Sequence, residues 1–302
     1  MRISAVINTL NEEKNIKRCL ESVKWTDEIV VVDMESEDKT AQIAQDFGAK
    51  VFTHKKTGYV EPARNFAVEK AQGPWILLLD ADEILPETLK EKLREIVQRD
   101  EIDFVRLPRK NIIFGKWVKH SGWWPDFKIR FFKKGQVVWS DEIHSIPLTY
   151  GKGKDLTPEE DDAIIHYNYE SISQFVGRLN RYSSIQAAEL KKGGYQFFWP
   201  DLIRKPANEF LSRFFAQKGY KDGLLGLALS LLQAFSTLCL YLKIWESDGF
   251  REPQIINFLA RTNEEFKKVC RDFRFWLYTA EIEENKNIFQ KFLFQIFRKF
   301  FK

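Results

Sequence analysis

Several common protein classes need residues that this chain has in short supply. Its three cysteines, Cys19, Cys239 and Cys270, lie far apart. Neither a disulfide framework nor a metal-ligand spacing emerges from them, which fits a reducing compartment. The formal net charge is only +4, which does not suggest a nucleic-acid binder. No Gly-x-Gly-x-x-Gly and no Walker sequence is present, so a dinucleotide dehydrogenase and a P-loop kinase are disfavoured. Met1-Arg2 runs straight into an apolar strand, and no secretion signal is expected there.

What is abundant is apolar and aromatic. Over 302 residues, hydrophobic side chains make up 44% and charged ones 30%, enough for one large core or two domains. Aromatics reach 15%, with Phe 26 and Trp 9, and they crowd the second half. That crowding suggests membrane contact or sugar-stacking surfaces.

In the first hundred residues, short apolar runs alternate with helical patterns. Ile3–Ile7 and Glu28–Asp33 read as buried strands, Lys50–Phe52 as a short one, and Trp75–Leu79 as another covered on both faces. Between them, Ile16, Cys19, Leu20 and Val23 mark a helix that Asn11 would cap, and Ala41, Ile43, Ala44 and Phe47 mark a second. A third follows, carrying Arg64 and Asn65. This βα alternation predicts an α/β fold with a mostly parallel central sheet and helices on both faces. Ligands in such sheets bind off the strands' carboxyl ends. The groups there are Thr9, Asn11 and Glu12, then Asp33, then Asp80 and Asp82. Two carboxylates at a strand end can hold a divalent cation that bridges substrate phosphates. Alternatively they are a solvated strand end ahead of the helix that Pro86-Glu87 opens.

These segments carry a resemblance. Val6-Ile-Asn-Thr-Leu-Asn11-Glu12, Val30-Val-Val-Asp33-Met-Glu-Ser36-Glu-Asp38-Lys-Thr40, Ala63-Arg64-Asn65 and Leu79-Asp80-Ala-Asp82-Glu83 follow the order and spacing of family 2 glycosyltransferases with the GT-A fold. The chain is similar to the branch that includes lipopolysaccharide-core glycosyltransferases, over residues 1 to about 245. The resemblance implies a nucleotide-diphospho-sugar donor, most readily UDP-linked. It implies that Thr9, Asn11, Glu12, Asp33, Asp38 and Arg64 contact uridine, ribose or pyrophosphate. It also implies that Asp80 and Asp82 form the metal and donor motif, with Mg²⁺ or Mn²⁺ as the ion.

The acceptor half follows. Asp103–Leu107 reads as a strand, Phe127–Phe132 as a second, and Gly135-Gln136 as a turn into Val137-Val-Trp139. Trp123 and Trp124 would stack on a sugar or base, or pack as core. Arg130 would face pyrophosphate, or lie solvated on its strand. Transfer to a hydroxyl needs a base. The candidates are Asp126, Asp141, Glu142 and His144, with Glu142 favoured and Asp126 next. The resembling family carries a His-Glu pair here, whereas His144 is followed by Ser145. Gly151–Asp162 reads as a flexible loop over the site. His166 would complete the metal site, touch pyrophosphate, or be a hydrogen-bonded core histidine.

From Ser171 the sequence turns helical, giving a division into 1–170, a donor-binding and catalytic domain, and 171–302, a helical extension. One helix is expected from Ser171 to Gly193-Gly194, and another from about Pro206 to Lys218. Leu224–Leu242 runs nineteen residues almost without charge, long enough to span a bilayer. Flanking Lys221 and Lys243, with Ser230, Gln233, Ser236 and Thr237 inside, favour a helix that packs or lies in the interface. Lys286 to Lys302 holds five basic residues, no acid, and a broad face of Phe289, Phe292, Leu293, Ile296, Phe297, Phe300 and Phe301. That pattern suits an anionic membrane surface, or an ordinary packed terminal helix. The expectation is a metal-assisted, inverting glycosyltransferase on the inner face of the plasma membrane, with a lipid-linked or lipopolysaccharide-type acceptor. The rivals are a nucleotidyl or phosphosugar transferase and a non-catalytic nucleotide-binding membrane scaffold.

Overall fold

The computed structural model describes residues 2–56, 60–140 and 147–301. The chain forms two compact units, Met1–Trp117 with Trp124–Asn168, and Val118–Trp123 with Tyr169–Lys302.

The first unit opens with β1 (Ile3–Thr9), α1 (Ile16–Val23), β2 (Glu28–Asp33), α2 (Thr40–Asp46), β3 (Lys50–Thr53), α3 (Glu61–Lys70) and β4 (Trp75–Asp80). It continues with β5 (Glu83–Ile84), α4 (Glu87–Arg99), β6 (Phe104–Ile113), β7 (Lys116–Trp117), β8 (Asp126–Lys133), β9 (Val137–Val138), β10 (Leu148–Thr149), β11 (Gly153–Asp155) and β12 (Ile164–Tyr169). The main sheet runs β3-β2-β1-β4-β8-β6-β12-β5, with β7 and β11 both on β6. The pairs β1–β2, β2–β3 and β1–β4 are parallel. The chain winds outward from β1 through β2 to β3, then crosses back to β4 on the other side of β1. The winding reverses between β1 and β4, and that is where an α/β sheet opens its ligand crevice.

Burial explains the uninterrupted apolar runs. All of β1 is buried, and Trp75 to Leu79 are buried together. Ala5, Ile7, Leu77 and Leu79 belong to one core with Ile16, Leu20, Leu89 and Leu93. Val6, Val30, Ile76 and Leu78 belong to another with Ala63 and Ala67. Alternate residues therefore feed two helix layers.

Past β4 the pairing is mostly antiparallel, with β11 lying parallel to β6. β8 runs against both β4 and β6, and β12 against β5. The sheet is thus mixed, more so than the βα alternation implied. No helix lies between β6 and β8, and without such a crossover consecutive strands do not return parallel. Three local expectations change. The strand at residue 104 continues through Pro108 to Ile113. β9 pairs with β10 and does not fold back on β8. Residues 151–162 are anchored rather than loose: β11 joins β6, Arg106 Nε donates to Asp155 at 2.6 Å, and Lys92 holds Asp162.

The second unit is helical: α5 (Ile172–Lys192), α6 (Asp201–Leu211), α7 (Gly223–Ser247), α8 (Phe258–Glu284) and α9 (Ile288–Lys299). Ser171 caps α5, accepting from Gln174 N–H at 3.1 Å. α6 begins at Asp201, earlier than the pattern suggested, and carries Pro206 inside it. Proline lacks one N–H, which a helix with other packing tolerates at the cost of a bond. Residues 118–123 join this unit because His120 N–H and Ser121 N–H donate to Asp222 (2.8 Å) and to the Gln217 carbonyl (2.9 Å). At Gly226 the backbone meets Gly219 so closely that a Cβ would lie 1.8 Å from the Gly219 carbonyl oxygen. Only glycine fits there.

α7 packs against α5 and α6 along one side. Its Lys243 Nζ donates to the Asn180 carbonyl (2.6 Å), Asn180 Oδ1 (2.7 Å), Ser183 (2.8 Å) and Ser184 (2.7 Å). Its other side exposes Leu224, Leu231, Phe235 and Leu242. α8 exposes Leu259, Phe266, Phe273 and Leu277 in much the same spacing. Each set falls on one stripe at 3.6 residues per turn. α9 leans on α8 through Tyr278, whose ring lies 5.9 Å from Phe294, 5.7 Å from Phe297 and 5.9 Å from Phe301. Phe289, Phe292, Leu293, Ile296 and Phe300 remain exposed on a separate arc of α9. Gly219–Ser247 is, by length and composition, long and apolar enough to cross a membrane, with only 22% of its apolar window buried.

Candidate functional site

The parallel strands bring the expected polar ends to one edge. Thr9 is the register partner of Asp33, and Asn8 that of Asp80. Adjacent strands lie about 4.8 Å apart, so Asp33, Thr9, Asn8 and Asp80 form a row across the β1/β4 reversal. Several of their atoms are buried without a hydrogen-bond partner among the described residues: Asn8 Oδ1, Thr9 Oγ1 and Asp33 Oδ1, and, on the arginines above them, Arg64 Nε, Arg130 Nε and Arg130 Nη1. An unsatisfied buried polar group costs about 1–3 kcal/mol. These six atoms gather at one strand edge, where a polar ligand could pair them.

The loops beyond these strands are tied together. Asn11 does not cap α1. It sits at φ 55° and spans to the next loop, its N–H donating to Ser36 Oγ at 2.8 Å and its Oδ1 accepting from Glu37 N–H at 2.8 Å. Asp38 accepts from the N–H of Glu13 (3.1 Å) and of Thr40 (2.9 Å). Glu12 N–H donates to Thr40 Oγ1 at 2.8 Å, and its carboxylate accepts from Asn15 at 2.6 Å. Asn11, Glu12 and Asp38 therefore shape the rim of the crevice through loop-to-loop hydrogen bonds.

A ladder of arginines and carboxylates fills the middle. Arg64 Nη2 donates to both Asp80 oxygens, at 3.1 and 3.3 Å. Arg130, 1% exposed, donates to Asp80 and, at 2.7 Å, to the fully buried Glu83. Arg109 reaches Glu83 at 3.0 Å and Asp126 at 2.9 Å. Burial opposes the charged form of Asp80, but Arg130, Arg64 and Arg109 outweigh it and hold the carboxyl far below its ordinary range. Burial likewise opposes the charge on Arg130, and Asp80 and Glu83 outweigh it. The side chain expected to face pyrophosphate thus spends Nη2 on two carboxylates, as does Asp80 on two guanidiniums.

Asp126 is held in the same way. Burial would raise its pKa, but Arg109 and Lys128 bring it down to about 2. Its Oδ2 accepts from Arg109 and its Oδ1 pairs with Lys128 at 3.2 Å. A carboxylate so acidic is a weak base at neutral pH, which speaks against the expected base role. It is instead a stability element. Its folded pKa lies below the unfolded value, so its contribution is complete above about pH 4 and is lost as pH falls toward 2. Asp126→Asn should lower unfolding stability by about 2 kcal/mol at pH 7. In denaturant titrations the gap to wild type should hold from pH 7 to 5 and narrow below about pH 4.

Asp82 stands apart from the ladder. Its backbone carbonyl accepts from Tyr167 N–H at 3.0 Å, and β12 pairs with β5 so that His166 opposes Glu83. This places His166 Nε2 3.4 Å from Asp82 Oδ2. Two ligands each about 2.1 Å from one ion lie about 3.0–3.4 Å apart, so the pair fits a shared divalent cation. No group of three or more His, Cys, Asp or Glu side chains converges on one ion position among the described residues. Such a site suits an ion that keeps waters and bridges substrate phosphates. Asp80 is engaged by Arg64 and Arg130.

The remaining expected residues lie as follows. Trp124 is half-buried and packs edge-on to Trp117, with ring centroids 5.4 Å apart. Asn65 clamps the Trp139 backbone, accepting from its N–H at 3.0 Å and donating to its carbonyl at 2.8 Å. Glu142, with Asp141, His144 and Ser145, lies outside the described residues. A cavity of about 490 Å³ beside Ser4, Glu28 and Gln72 is at the opposite, amino-terminal edge of β1 and β2 and away from these groups. Sequence reading passed over Asn8, Glu83, Arg109 and Asn111. The available signal was polar residues inside apolar strand patterns, which are stable there only when paired.

Comparison with known proteins accords with this geometry. The model of the family "Glycosyl transferase family 2" matches residues 4–150. An uncharacterized glycosyltransferase of Rickettsia typhi is 32% identical over 255 residues, 81% of this chain and 87% of the relative. The lipopolysaccharide core biosynthesis glycosyltransferase LpsC of Rhizobium meliloti is 27% identical over 256 residues, 82% of this chain and 94% of the relative. Among solved structures, S. aureus TarS 1-349 in complex with UDP is similar at TM-score 0.44 and 19% identity, covering 85% of this chain and 95% of that one.

Proposed function

The chain belongs to glycosyltransferase family 2 and is a glycosyltransferase, and from that premise we propose that it moves a sugar from a UDP-linked donor to a hydroxyl of a lipid-linked or lipopolysaccharide-type acceptor, with inversion. The observation that carries this reading is the row of buried, unsatisfied polar atoms on Asn8, Thr9, Asp33 and Arg64 at the β1/β4 reversal. Thr9 and Asp33 offer acceptor oxygens for the donor groups of a uridine base or ribose. Arg64 offers Nε–H to a diphosphate oxygen, while Asp80 holds the guanidinium in place. Asp82 and His166 would hold Mg²⁺ or Mn²⁺, which when bound neutralises charge on the departing nucleotide diphosphate. Arg130, Glu83 and Arg109 keep this wall rigid and dry. Glu142 takes the acceptor's proton in this scheme.

The likeness to LpsC supports the acceptor class. The second unit supports a membrane setting at the cytoplasmic face. It offers exposed apolar stripes on α7, α8 and α9, and Lys286, Lys291, Arg298 and Lys299 stand beside the last of these without an acid among them. α7 packs on α5 and α6 along one side and binds Lys243 into that contact, which favours lying in the interface over crossing it.

A panel of UDP-, GDP- and ADP-sugars, assayed for hydrolysis and for transfer to lipid-linked acceptors, tests the proposal. Release of UDP from at least one UDP-sugar, stimulated by Mn²⁺ or Mg²⁺, is the expected result. Turnover of only GDP- or ADP-sugars would overturn the uridine assignment.

A further inference from the structure

The metal-side histidine is held by a residue with no charge of its own. Asn111 is fully buried on β6, facing Asp126, His166 and Asn168 at once. Its Nδ2 donates to Asp126 Oδ2 at 3.4 Å. Its Oδ1 lies 2.7 Å from His166 Nδ1 and accepts from Asn168 Nδ2 at 3.3 Å. The network admits one orientation of the amide. Asp126 is an ionised carboxylate and accepts only, so the NH₂ must face it. With the NH₂ so placed, the Asn111 oxygen faces Asn168, which turns its own Nδ2 toward it. That same oxygen faces His166, whose Nδ1 must therefore carry the hydrogen. In the neutral ring the other nitrogen, Nε2, then has a bare lone pair, and Nε2 points at Asp82 Oδ2 3.4 Å away. Two acceptors facing each other across that gap repel unless a proton on Nε2 or a metal cation lies between them.

We propose that Asn111 is a positioning residue: by accepting from His166 Nδ1–H it fixes the tautomer and ring orientation that present Nε2, together with Asp82, to a divalent cation. This rests on the metal reading above. The chain of contacts runs Arg109, Asp126, Asn111, His166, Asp82, so the arginine ladder orients the imidazole through Asn111. Partners of this kind behind a metal-bound histidine alter affinity by about 10–100-fold when removed.

Two measurements on the full chain test it. Mn²⁺ is titrated in the presence of UDP, and the free-ion electron paramagnetic resonance signal is followed. Asn111→Leu, close in shape and without an acceptor, should bind Mn²⁺ about 10–100-fold more weakly than wild type. Wild-type affinity in Asn111→Leu overturns the role of Asn111 and leaves the metal site standing. If wild type binds no more Mn²⁺ than Asp82→Ala, the metal reading fails and this inference fails with it. The second measurement needs no variant and holds if Asn111→Leu does not fold. Long-range ¹⁵N–¹H spectra of the metal-free wild type should show His166 protonated at Nδ1. A ring protonated only at Nε2 overturns the proposal.

Discussion

Asp82→Ala is expected to reduce sugar transfer by at least about a hundredfold and to leave the melting temperature within a few degrees of wild type. Neutralising a departing diphosphate is worth several kcal/mol, and each 1.4 kcal/mol is about tenfold in rate. The Asp82 backbone contact to Tyr167 survives truncation of its side chain. Asp80→Ala, two residues away, should behave differently. It leaves Arg64 and Arg130 facing each other in a buried site without the carboxylate both depend on. Removing one partner of a buried ion pair costs about 3–5 kcal/mol, so both activity and stability should fall. Thermal denaturation with a donor-hydrolysis assay separates the two. Full activity in Asp82→Ala would sink the assignment of the ion to this residue. A stable, active Asp80→Ala would show that the arginine ladder does not shape the site.

Replacing Phe289, Phe292, Ile296 and Phe300 together with serine is expected to release the protein from anionic vesicles. These side chains are exposed, while Phe294, Phe297 and Phe301 hold α9 to Tyr278, so the helix should stay folded and docked. Full burial of one such side chain is worth about 1.5–3 kcal/mol, and shallow insertion of four about 4 kcal/mol in all. Partitioning into phosphatidylglycerol-containing vesicles should therefore weaken at least about a hundredfold, read by co-sedimentation. Raising the salt should weaken wild-type binding as well, because Lys286, Lys291, Arg298 and Lys299 each add about 1 kcal/mol near an anionic surface. Alkaline carbonate should strip the wild type from membranes if α7 lies flat, and leave it bound if α7 spans. Unchanged co-sedimentation of the serine variant would end the lipid proposal. A dimer that the same variant splits to monomers, with vesicle binding intact, would make the arc a self-association surface.

Much of the first unit was legible because its signals are local. A run such as Trp75 to Leu79 is buried whatever lies beside it, and a polar strand end at Thr9, Asp33 or Asp80 is placed by the βα alternation alone. Asn11 was misjudged for the opposite reason. Its backbone N–H and its side-chain oxygen engage Ser36 and Glu37, which are close in space and 25 residues or more away in sequence. Residues 151–162 read as a loose polar loop because Lys92 and β6, which anchor them, lie far back in the chain. In the second unit, helical periodicity marked the apolar faces of α7 and α9 but was silent on which of their residues find partners. Tyr278 takes up Phe294, Phe297 and Phe301 and leaves the neighbouring arc bare.

The amino-acid sequence by itself determined the family, the alternation of strands and helices, and the cluster of acids at the strand ends. Each follows from short-range pattern, which hydrophobic burial and backbone geometry translate directly. Only the tertiary structure decided what those acids do. It turned Asp80 and Asp126 toward arginines, Asp82 toward His166, and Asn111 behind that histidine. The reason is physical: a carboxylate's role depends on which charge lies within a few ångströms of it. Strand pairing across dozens of residues sets that neighbour, and a linear spacing does not contain it.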